Sequence, residues 1–321
     1  MEYKRSEAKE WAKGYFKGVQ ATLLPSFTPD NMVLDEAGVR NDVRQEIKHG
    51  FFSTICVATN AGLTMDEARI FVQWSVDEAK NRIGIGLELC FNTLEDNIKM
   101  AKFAEEIGCC CLFFVPPSNF HPQNPQEVYD YVQAICRATN LGVEILPPHQ
   151  YDLGVFQPAL LNRIADIENM VAMKVGANDL AWIDECFRLF GDRMLCGYTW
   201  DDGWPTYIRK YGMQFAASAP YQVFQSPDDP REVRLFQLIQ AGKMDEATEL
   251  LHKIEIIRKP FQQSVNSTPI FIMQLWKYLE GLTGMTGGEM RPPKVGLTRP
   301  EKEMWRKYMR DSGLKIMESK F

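Results

Sequence analysis

The sequence predicts a (β/α)8 barrel, also called a TIM barrel, followed by a C-terminal helical extension. Short apolar runs recur eight times before residue 218, and each has the length of a buried parallel strand. Longer amphipathic stretches separate these runs, as the helices do in this fold. Only helical patterns follow the eighth run. The predicted boundaries are residues 1–225 for the barrel and 226–321 for the extension.

The eight apolar runs span residues 18–24, 51–58, 83–90, 109–115, 142–146, 170–174, 193–196 and 213–217. A doubly wound sheet would show a similar alternation, but it usually carries a glycine-rich, phosphate-binding turn after its first strand. Here the first run is followed by Pro-Ser-Phe-Thr-Pro at residues 25–29, which is a different kind of turn. The barrel is therefore the favoured architecture.

The stretches between the runs have helical features. Asn92 and Thr93 resemble an N-cap before an acidic first turn, and apolar residues then recur at helical spacing. Residues 125–138 and 158–167 repeat that pattern. In the extension, helices are predicted over residues 231–240, 244–258 and 270–282, and from about residue 300. Gly242 and Pro260 are expected to end the first two of these.

Composition excludes several function classes. The net charge is −6 with no block of basic residues, and the locally basic segment 299–320 is interpreted as a solvated helix face, so no nucleic-acid partner is expected. No apolar stretch reaches the length of a membrane span, and the charged N-terminus lacks the apolar core of a signal peptide. The eight cysteines form no CxxC pair and the four histidines no metal motif. Free thiols in the cytoplasm, without a metal or membrane partner, are the expectation.

Lys174 is the candidate chemical centre. In this barrel type the active site forms at the carboxyl ends of the strands, and Lys174 is the one lysine among the residues that close the eight runs. Burial would lower its pKa and leave a neutral amine, which can form a Schiff base with a carbonyl. Alternatively, Lys174 reaches solvent or pairs with a carboxylate such as Glu144. The strand pattern alone leaves both interpretations open.

Several segments resemble the dihydrodipicolinate synthase / N-acetylneuraminate lyase family of class I aldolases. Residues 167–179, which contain Lys174, are similar to the sixth-strand segment of that family, and residues 241–247, 277–281 and 290–293 are similar to its C-terminal signatures. The resemblance covers nearly the whole chain. It implies that Lys174 is the Schiff-base lysine and that the substrate is a 2-oxo acid such as pyruvate. It also implies a homo-oligomer, a tetramer or a dimer, and no cofactor is expected.

One departure from the family concerns the loop after the second strand, which binds the substrate carboxylate through backbone N–H groups and hydroxyls. The matching stretch here is residues 58–62. Thr59 keeps a hydroxyl and Asn60 can still donate a hydrogen bond, but the acidic residue of the family loop is missing. Thr59 and Asn60 are therefore candidate substrate-binding residues, with an ordinary polar loop end as the alternative.

A second departure lies at the end of the fifth strand, where the family usually places a tyrosine that relays protons. Here the position falls within residues 145–148, Ile-Leu-Pro-Pro, and no tyrosine aligns with it. The arginine often found a few residues later is also absent. His149 and Tyr151 are candidate acid/base residues on the same loop, because an imidazole with a near-neutral pKa suits that work. The alternative is a loop histidine without a role.

Three functional hypotheses follow. The first is a Schiff-base-forming lyase, of aldolase or dehydratase type, that is a poor dihydrodipicolinate synthase. The second is a Schiff-base deaminase or cyclase with a different proton relay. The third is a barrel that binds a small molecule without turnover. The aromatic residues near the predicted strand ends indicate a substrate less polar than a sugar acid, although packing explains any single one of them: Phe91, Phe120, Phe156, Tyr198, Trp200 and Trp204.

Overall fold

The computed structural model describes residues 3–29, 32–148, 154–267 and 272–317. Its eight strands are Gly18–Leu23 (β1), Ser53–Cys56 (β2), Gly84–Leu89 (β3), Cys111–Phe114 (β4), Gly142–Ile145 (β5), Met170–Val175 (β6), Leu195–Tyr198 (β7) and Phe215–Ala219 (β8). Each strand overlaps one predicted apolar run. In the sheet the strands follow the order β7-β6-β5-β4-β3-β2-β1-β8. Sequential order with β8 beside β1 is the topology of a (β/α)8 barrel, which confirms the predicted fold class.

Helices alternate with the strands and then continue alone after β8. They are Ala8–Tyr15 (α1), Glu36–His49 (α2), Met65–Ala79 (α3), Leu94–Ile107 (α4), Pro125–Ala138 (α5), Pro158–Ile164 (α6), Leu180–Phe190 (α7), Trp204–Tyr211 (α8), Arg231–Gln240 (α9), Met244–Ser267 (α10), Met273–Glu280 (α11) and Arg299–Asp311 (α12). The last four are the predicted C-terminal extension. Thr93 caps α4 by accepting from the Asp96 backbone N–H, and Asn124 caps α5 before Pro125.

The chain divides into two compact units, and their limits differ from the boundary predicted after residue 225. The division into a barrel and an extension at that residue stays a prediction. The first unit comprises Met1–Gln20 and Gly84–Ser218, and the second comprises Ala21–Ile83 and Ala219–Phe321. Within the first unit, β3 to β7 form a parallel ladder with each strand paired to the next. Nearly every residue of these strands is buried, which is why the sequence shows them as short apolar runs.

Helix α1 was not predicted, because the N-terminal segment is charged along its length. Its apolar side is aromatic. Trp11 stacks between Tyr3 and Tyr15, with ring centroids 4.6 Å and 4.8 Å away. The Tyr3 hydroxyl accepts a hydrogen bond from the backbone N–H of Gly142, the first residue of β5. The N-terminal segment therefore belongs to the packed core of the first unit.

The predicted end of α10 at Pro260 is wrong, since the helix continues to Ser267. A proline inside a helix removes one backbone hydrogen bond and costs about 3 kcal/mol. Here the buried side of the helix continues across the proline, because Ile254, Ile257 and Phe261 are all buried at helical spacing. Burial of such side chains is worth about 1.5–3 kcal/mol each, which offsets the proline.

A cluster of ionisable side chains is buried in the second unit. The Lys277 ammonium lies 3.1 Å from the Ser26 hydroxyl, 3.2 Å from Glu280 and 3.8 Å from Asp42. Asp42 accepts a further hydrogen bond from Ser26 at 2.7 Å. Glu46 is fully buried nearby, and burial raises its pKa well above the ordinary value. Lys277 is therefore the cation that compensates the carboxylates of this cluster.

Replacing Lys277 by methionine is expected to lower the free energy of unfolding by about 3–5 kcal/mol, because it leaves buried carboxylates without a cation. Chemical denaturation measures the effect. Lys253→Met is the matched control, since Lys253 is exposed on α10, and it should change stability by less than about 0.5 kcal/mol. Equal stability of the two variants would mean that the cluster is held in uncharged form.

The structure bears on two expectations drawn from composition, one about the cysteines and one about membrane-spanning helices. All eight cysteines are free thiols, and seven of them are buried. This agrees with their position in apolar runs. Within the described ranges, no helix combines the length and the apolar character that crossing a membrane requires.

Candidate active site

Lys174 lies on β6, one residue before the strand ends. Its neighbours Met173 and Val175 are fully buried, whereas the Lys174 side chain keeps part of its surface exposed. The strand pairs with β7 so that Lys174 lies opposite Gly197. The absence of a side chain at Gly197 makes room for the ring of Phe215, which packs against this glycine. The carboxyl end of the sixth strand thus carries a half-buried lysine.

The amine is held by contacts within the first unit. Its Nζ donates a hydrogen bond to the backbone carbonyl of Ser218, at the end of β8. It also lies 5.7 Å from the centroid of the Phe113 ring on β4. The backbone N–H of Ser218 in turn donates to the Gln20 side-chain oxygen at 3.1 Å. These contacts direct the lysine side chain across the sheet, toward β4 and β8.

A row of side chains crosses four strands beside the lysine. The registers pair Glu88 with Phe113, Phe113 with Glu144, and Glu144 with Ala172. Ala172 and Lys174 are two residues apart on β6 and therefore point to the same face of the sheet. Two carboxylates, Glu88 and Glu144, accordingly lie on the face that carries the amine. Both are buried, at 2% and 0% exposure.

Burial lowers the pKa of Lys174 from its ordinary value of 10.5 to about 8, while Glu144 and Glu88 act in the opposite direction. Desolvation therefore outweighs the attraction of two carboxylates. An amine with a pKa of about 8 is neutral in about a tenth of the molecules at pH 7, against less than about a thousandth for an ordinary lysine. The neutral form is the nucleophile.

Burial also raises the pKa of Glu144, from 4.5 to about 8, and Gln20 and Lys174 oppose the shift. Gln20 lies close enough to affect this carboxyl, but the two side chains do not reach hydrogen-bond geometry. Neither carboxyl oxygen of Glu144 has a hydrogen-bond partner among the described residues. Glu144 is therefore a buried acid beside an amine of similar pKa.

The end of β5 lacks a proton-transfer group at the level of the lysine. Ile145 pairs with Met173, so the next residue, Leu146, comes level with Lys174. Leu146 is 7% exposed and its backbone N–H donates to the Phe114 carbonyl at 2.9 Å. Residues 145–148, where the sequence predicted no tyrosine, thus contribute an apolar side chain at this level.

The other predicted site residues are distributed as follows. Thr59 and Asn60 follow β2 in the second unit, where the loop turns through hydrogen bonds from Gly62 to Thr59 and from Leu63 to Ala58. The Thr59 hydroxyl is buried and has no hydrogen-bond partner among the described residues. His149 and Tyr151 lie outside the described residues, so their acid/base roles stay predictions.

Most of the aromatic residues near the strand ends are packing residues. Tyr198 and Trp204 are buried, and the Trp204 indole N–H donates to the Tyr198 carbonyl at 3.1 Å. Phe91 and Phe156 are also buried, while Phe120 packs on Tyr131 with ring centroids 4.7 Å apart. The observed burial favours the packing interpretation over an aromatic rim around a substrate.

Sequence analysis overlooked Glu88 and Gln20 and treated Glu144 only as a structural partner of Lys174. The signal was present, because a charged or amide side chain inside a short apolar strand must either be paired or serve the site. Glu88 interrupts the run 83–90, Glu144 the run 142–146, and Gln20 the run 18–24. The strand registers were needed to predict which face of the sheet each of these three side chains occupies.

Comparison with known proteins identifies the family. The dihydrodipicolinate synthetase family profile matches residues 15–311. The 4-hydroxy-tetrahydrodipicolinate synthase of Clostridium perfringens is 26% identical over 183 residues, which is 56% of this chain and 62% of that relative. The match thus spans less than two thirds of that enzyme's length. The enzyme of the same name from Afipia carboxidovorans is 24% identical over 306 residues, covering 94% of this chain and 99% of the relative.

Solved structures agree on the fold. The crystal structure of N-acetylneuraminate lyase from Fusobacterium nucleatum complexed with pyruvate superimposes with a TM-score of 0.79 and 19% identity, covering 93% of this chain and 97% of that chain. The profile match extends over nearly the whole sequence, in agreement with the resemblance of the sixth-strand and C-terminal segments. The chain belongs to the dihydrodipicolinate synthetase family.

Proposed function

We propose that this protein is a Schiff-base-forming lyase, of aldolase or dehydratase type, that acts on a 2-oxo acid such as pyruvate or a pyruvate derivative. The observation that carries the proposal is Lys174 at the carboxyl end of β6, a half-buried residue whose amine has its pKa lowered to about 8 by burial. A neutral amine there can attack a ketone carbon and expel water to give an iminium. The iminium withdraws electrons from the adjacent carbon, which is the step that aldolases and dehydratases share.

The substrate class is supported by two further observations. Thr59 offers a buried hydroxyl without a described partner, and Asn60 follows it in the same loop. We propose that this loop binds the substrate carboxylate, as hydroxyl and amide donors do. In addition, the N-acetylneuraminate lyase from Fusobacterium nucleatum was crystallised with pyruvate. Pyruvate is therefore the first 2-oxo acid to test.

The test is borohydride trapping with pyruvate. Reduction should fix the iminium as a stable adduct, and peptide mass mapping should place it on Lys174. The initial trapping rate should rise about fiftyfold from pH 6 to pH 8. The sign follows from the pKa of about 8, because the neutral amine grows from about a hundredth to about half of the molecules over that interval.

The exposed lysines serve as internal controls in the same peptide maps. Lys102 on α4 is exposed and should remain unmodified at pH 7. An adduct on another lysine, or a rate that still climbs steeply above pH 10, would contradict the assignment of Lys174. No adduct with any small 2-oxo acid would contradict the proposed function itself.

A Schiff-base deaminase or cyclase is the second candidate. The observation that favours it is that residues 145–148, at the end of β5, include no tyrosine to relay protons as in the resembling family. The two candidates differ in the fate of nitrogen. Release of ammonia from an amino-substituted substrate would support a deaminase, whereas carbon–carbon cleavage or loss of water would support a lyase.

We also propose that the protein forms a homo-oligomer in the cytoplasm. Free thiols at all eight cysteines suit a reducing compartment. Leu235 and Ile239, two apolar residues at helical spacing on α9, are buried within the chain, so an interface would use other residues, such as the exposed Val295 and Met304. Light scattering at micromolar concentration should give a mass of at least two chains. A monomeric mass would contradict this proposal.

A further inference from the structure

Glu144 is a buried carboxyl that the proposed chemistry does not yet use. It has no exposed surface, and neither of its oxygens has a hydrogen-bond partner among the described residues. A buried polar group without a partner costs several kcal/mol in folding, so its retention asks for an explanation. A structural ion pair is not the explanation, because the Lys174 amine bonds to the Ser218 carbonyl instead.

The geometry brings Glu144 and the lysine together on one face of the first unit. Glu144 pairs with Ala172, and Lys174 follows on the same face two residues later, about 6.6 Å along the strand. The Lys174 amine leans back over this row, since it lies 5.7 Å from the ring of Phe113, and Phe113 pairs with Glu144. A carbon atom attached to the amine would therefore lie next to the Glu144 carboxyl.

We propose that Glu144 is the proton-transfer group of the Schiff base, in the role for which the fifth strand offers no tyrosine. The inference rests on the proposed function, since it requires a 2-oxo acid bound to Lys174. It assigns the acid/base work to β5 itself, two residues before Leu146, and not to the loop that carries His149 and Tyr151.

The first step is iminium formation. The neutral Lys174 amine adds to the ketone carbon, and a proton moves from nitrogen to oxygen to give the carbinolamine. Glu144 in its acid form then donates its proton to the hydroxyl, and the C–O bond breaks. The hydroxyl leaves as water, the nitrogen lone pair forms the C=N⁺ bond, and Glu144 is left as the carboxylate.

The second step uses that carboxylate as a base. It removes a proton from the carbon next to the iminium, the C–H electron pair becomes the C=C bond, and the C=N π pair returns to nitrogen. The product is a neutral enamine, and Glu144 is again an acid. One side chain thus completes the proton cycle without a second group, and the reverse of the same step returns the proton to carbon.

The environment suits this cycle. Ionisable neighbours of Glu144 come from β6, where Lys174 lies, and from β4, where Cys111 lies, and Gln20 of β1 adds an amide. Glu88 acts on the lysine from β3. The pKa values of Glu144 and Lys174 both lie at about 8, so a proton can pass between the pair at little free-energy cost near neutral pH.

The test compares the rate of proton exchange at the substrate carbon with the final extent of imine formation on Lys174. Pyruvate incubated with the protein in D2O should exchange its methyl protons, which NMR follows directly. Glu144→Gln should lower this exchange at least about a hundredfold, since a positioned acid/base contributes about 10²–10⁴ in rate. Prolonged incubation with borohydride should still label Lys174 in this variant to at least about half the wild-type extent, because the nucleophile is intact and the slower loss of water is completed during the long incubation. Glu144→Asp keeps the acid and should retain more exchange than Glu144→Gln.

Glu95→Gln is the matched control, because Glu95 is exposed on α4, and it should keep exchange within about threefold of the wild type. Glu88→Gln tests the other carboxylate of the row and should lower exchange far less than Glu144→Gln does. Unchanged exchange in Glu144→Gln, with Lys174 still labelled, would overturn this inference and leave the proposed function standing. A hundredfold loss in Glu88→Gln would also overturn it, since the role would then belong to Glu88. A wild-type protein that traps no 2-oxo acid would overturn both proposals.

Discussion

Replacing Lys174 by alanine is expected to abolish the borohydride-trapped adduct and to lower turnover of any 2-oxo acid by about 10⁴-fold or more. The side chain is the nucleophile of the proposed chemistry, and removing a nucleophile eliminates the covalent pathway as a whole. The row of side chains beside Lys174 in the first unit contains no second amine among the described residues. Its members are Glu88, Phe113, Glu144 and Ala172. Trapping, steady-state rates and methyl-proton exchange should all fall together.

The matched control is Lys102→Ala, because Lys102 is exposed on α4 and leaves the strands untouched. It should keep all three activities within about twofold of the wild type. Thermal unfolding of both variants shows whether the fold survives. Lys174→Ala is expected to remain folded, because burial already favours the uncharged form of Glu144, and loss of the lysine leaves a neutral acid behind. A Lys174→Ala protein with wild-type turnover would refute the assignment.

Much of the fold could be predicted because its strands are buried on both faces. Such strands appear as short apolar runs whatever their neighbours are, and all eight runs overlap the observed strands. The ends of helices, and the presence of short ones, were predicted less reliably. Pro260 looked like a helix end, but burial of Ile257 and Phe261 carried α10 past it. Helix α1 was missed because Trp11 and its aromatic neighbours supply its packing within a charged segment.

The site was only partly predictable, and the reason is register. Lys174 stood out because a lysine at the end of an apolar run is unusual, and a single residue carries that signal. The role of Glu144 could not be predicted from that residue alone, because it depends on the pairing of Glu144 with Ala172 on the next strand. A parallel ladder joins residues that are far apart in sequence, and a shift of one residue would turn every side chain to the opposite face. Periodicity gives the strands but not their alignment.

The protein is also expected to be a poor dihydrodipicolinate synthase, with condensation of pyruvate and aspartate semialdehyde at least about a hundredfold slower than by an authentic synthase. Condensation needs a proton at the oxygen of the second substrate, beyond the Schiff base. Level with Lys174 on the fifth strand stands Leu146, which has no proton to give. Glu144 lies two residues earlier, where it can serve the Schiff base but not the acceptor. Losing a positioned acid costs about 10²–10⁴ in rate.

The acceptor's own carboxylate adds a second obstacle. The sequence has no lysine or arginine from residue 147 to residue 162, after the fifth strand, so a cation for that carboxylate is missing from this segment. Removing a carboxylate from water without a cation or hydrogen-bond donors is unfavourable by several kcal/mol. Pyruvate should nevertheless label Lys174 and exchange its methyl protons, because those steps need neither group. The expected pattern is therefore an active Schiff base combined with failed condensation.

A coupled assay with purified protein beside an authentic synthase measures the difference, and trapping on the same samples shows that Lys174 is competent. Turnover within about tenfold of the authentic enzyme would show that another residue supplies the acceptor's proton, and Glu144→Gln and His149→Ala would then identify which. If condensation fails while trapping succeeds, the acceptor is a different molecule. It would carry no carboxylate at that position, and 2-oxo acid adducts on Lys174 could be screened against neutral aldehydes to find it.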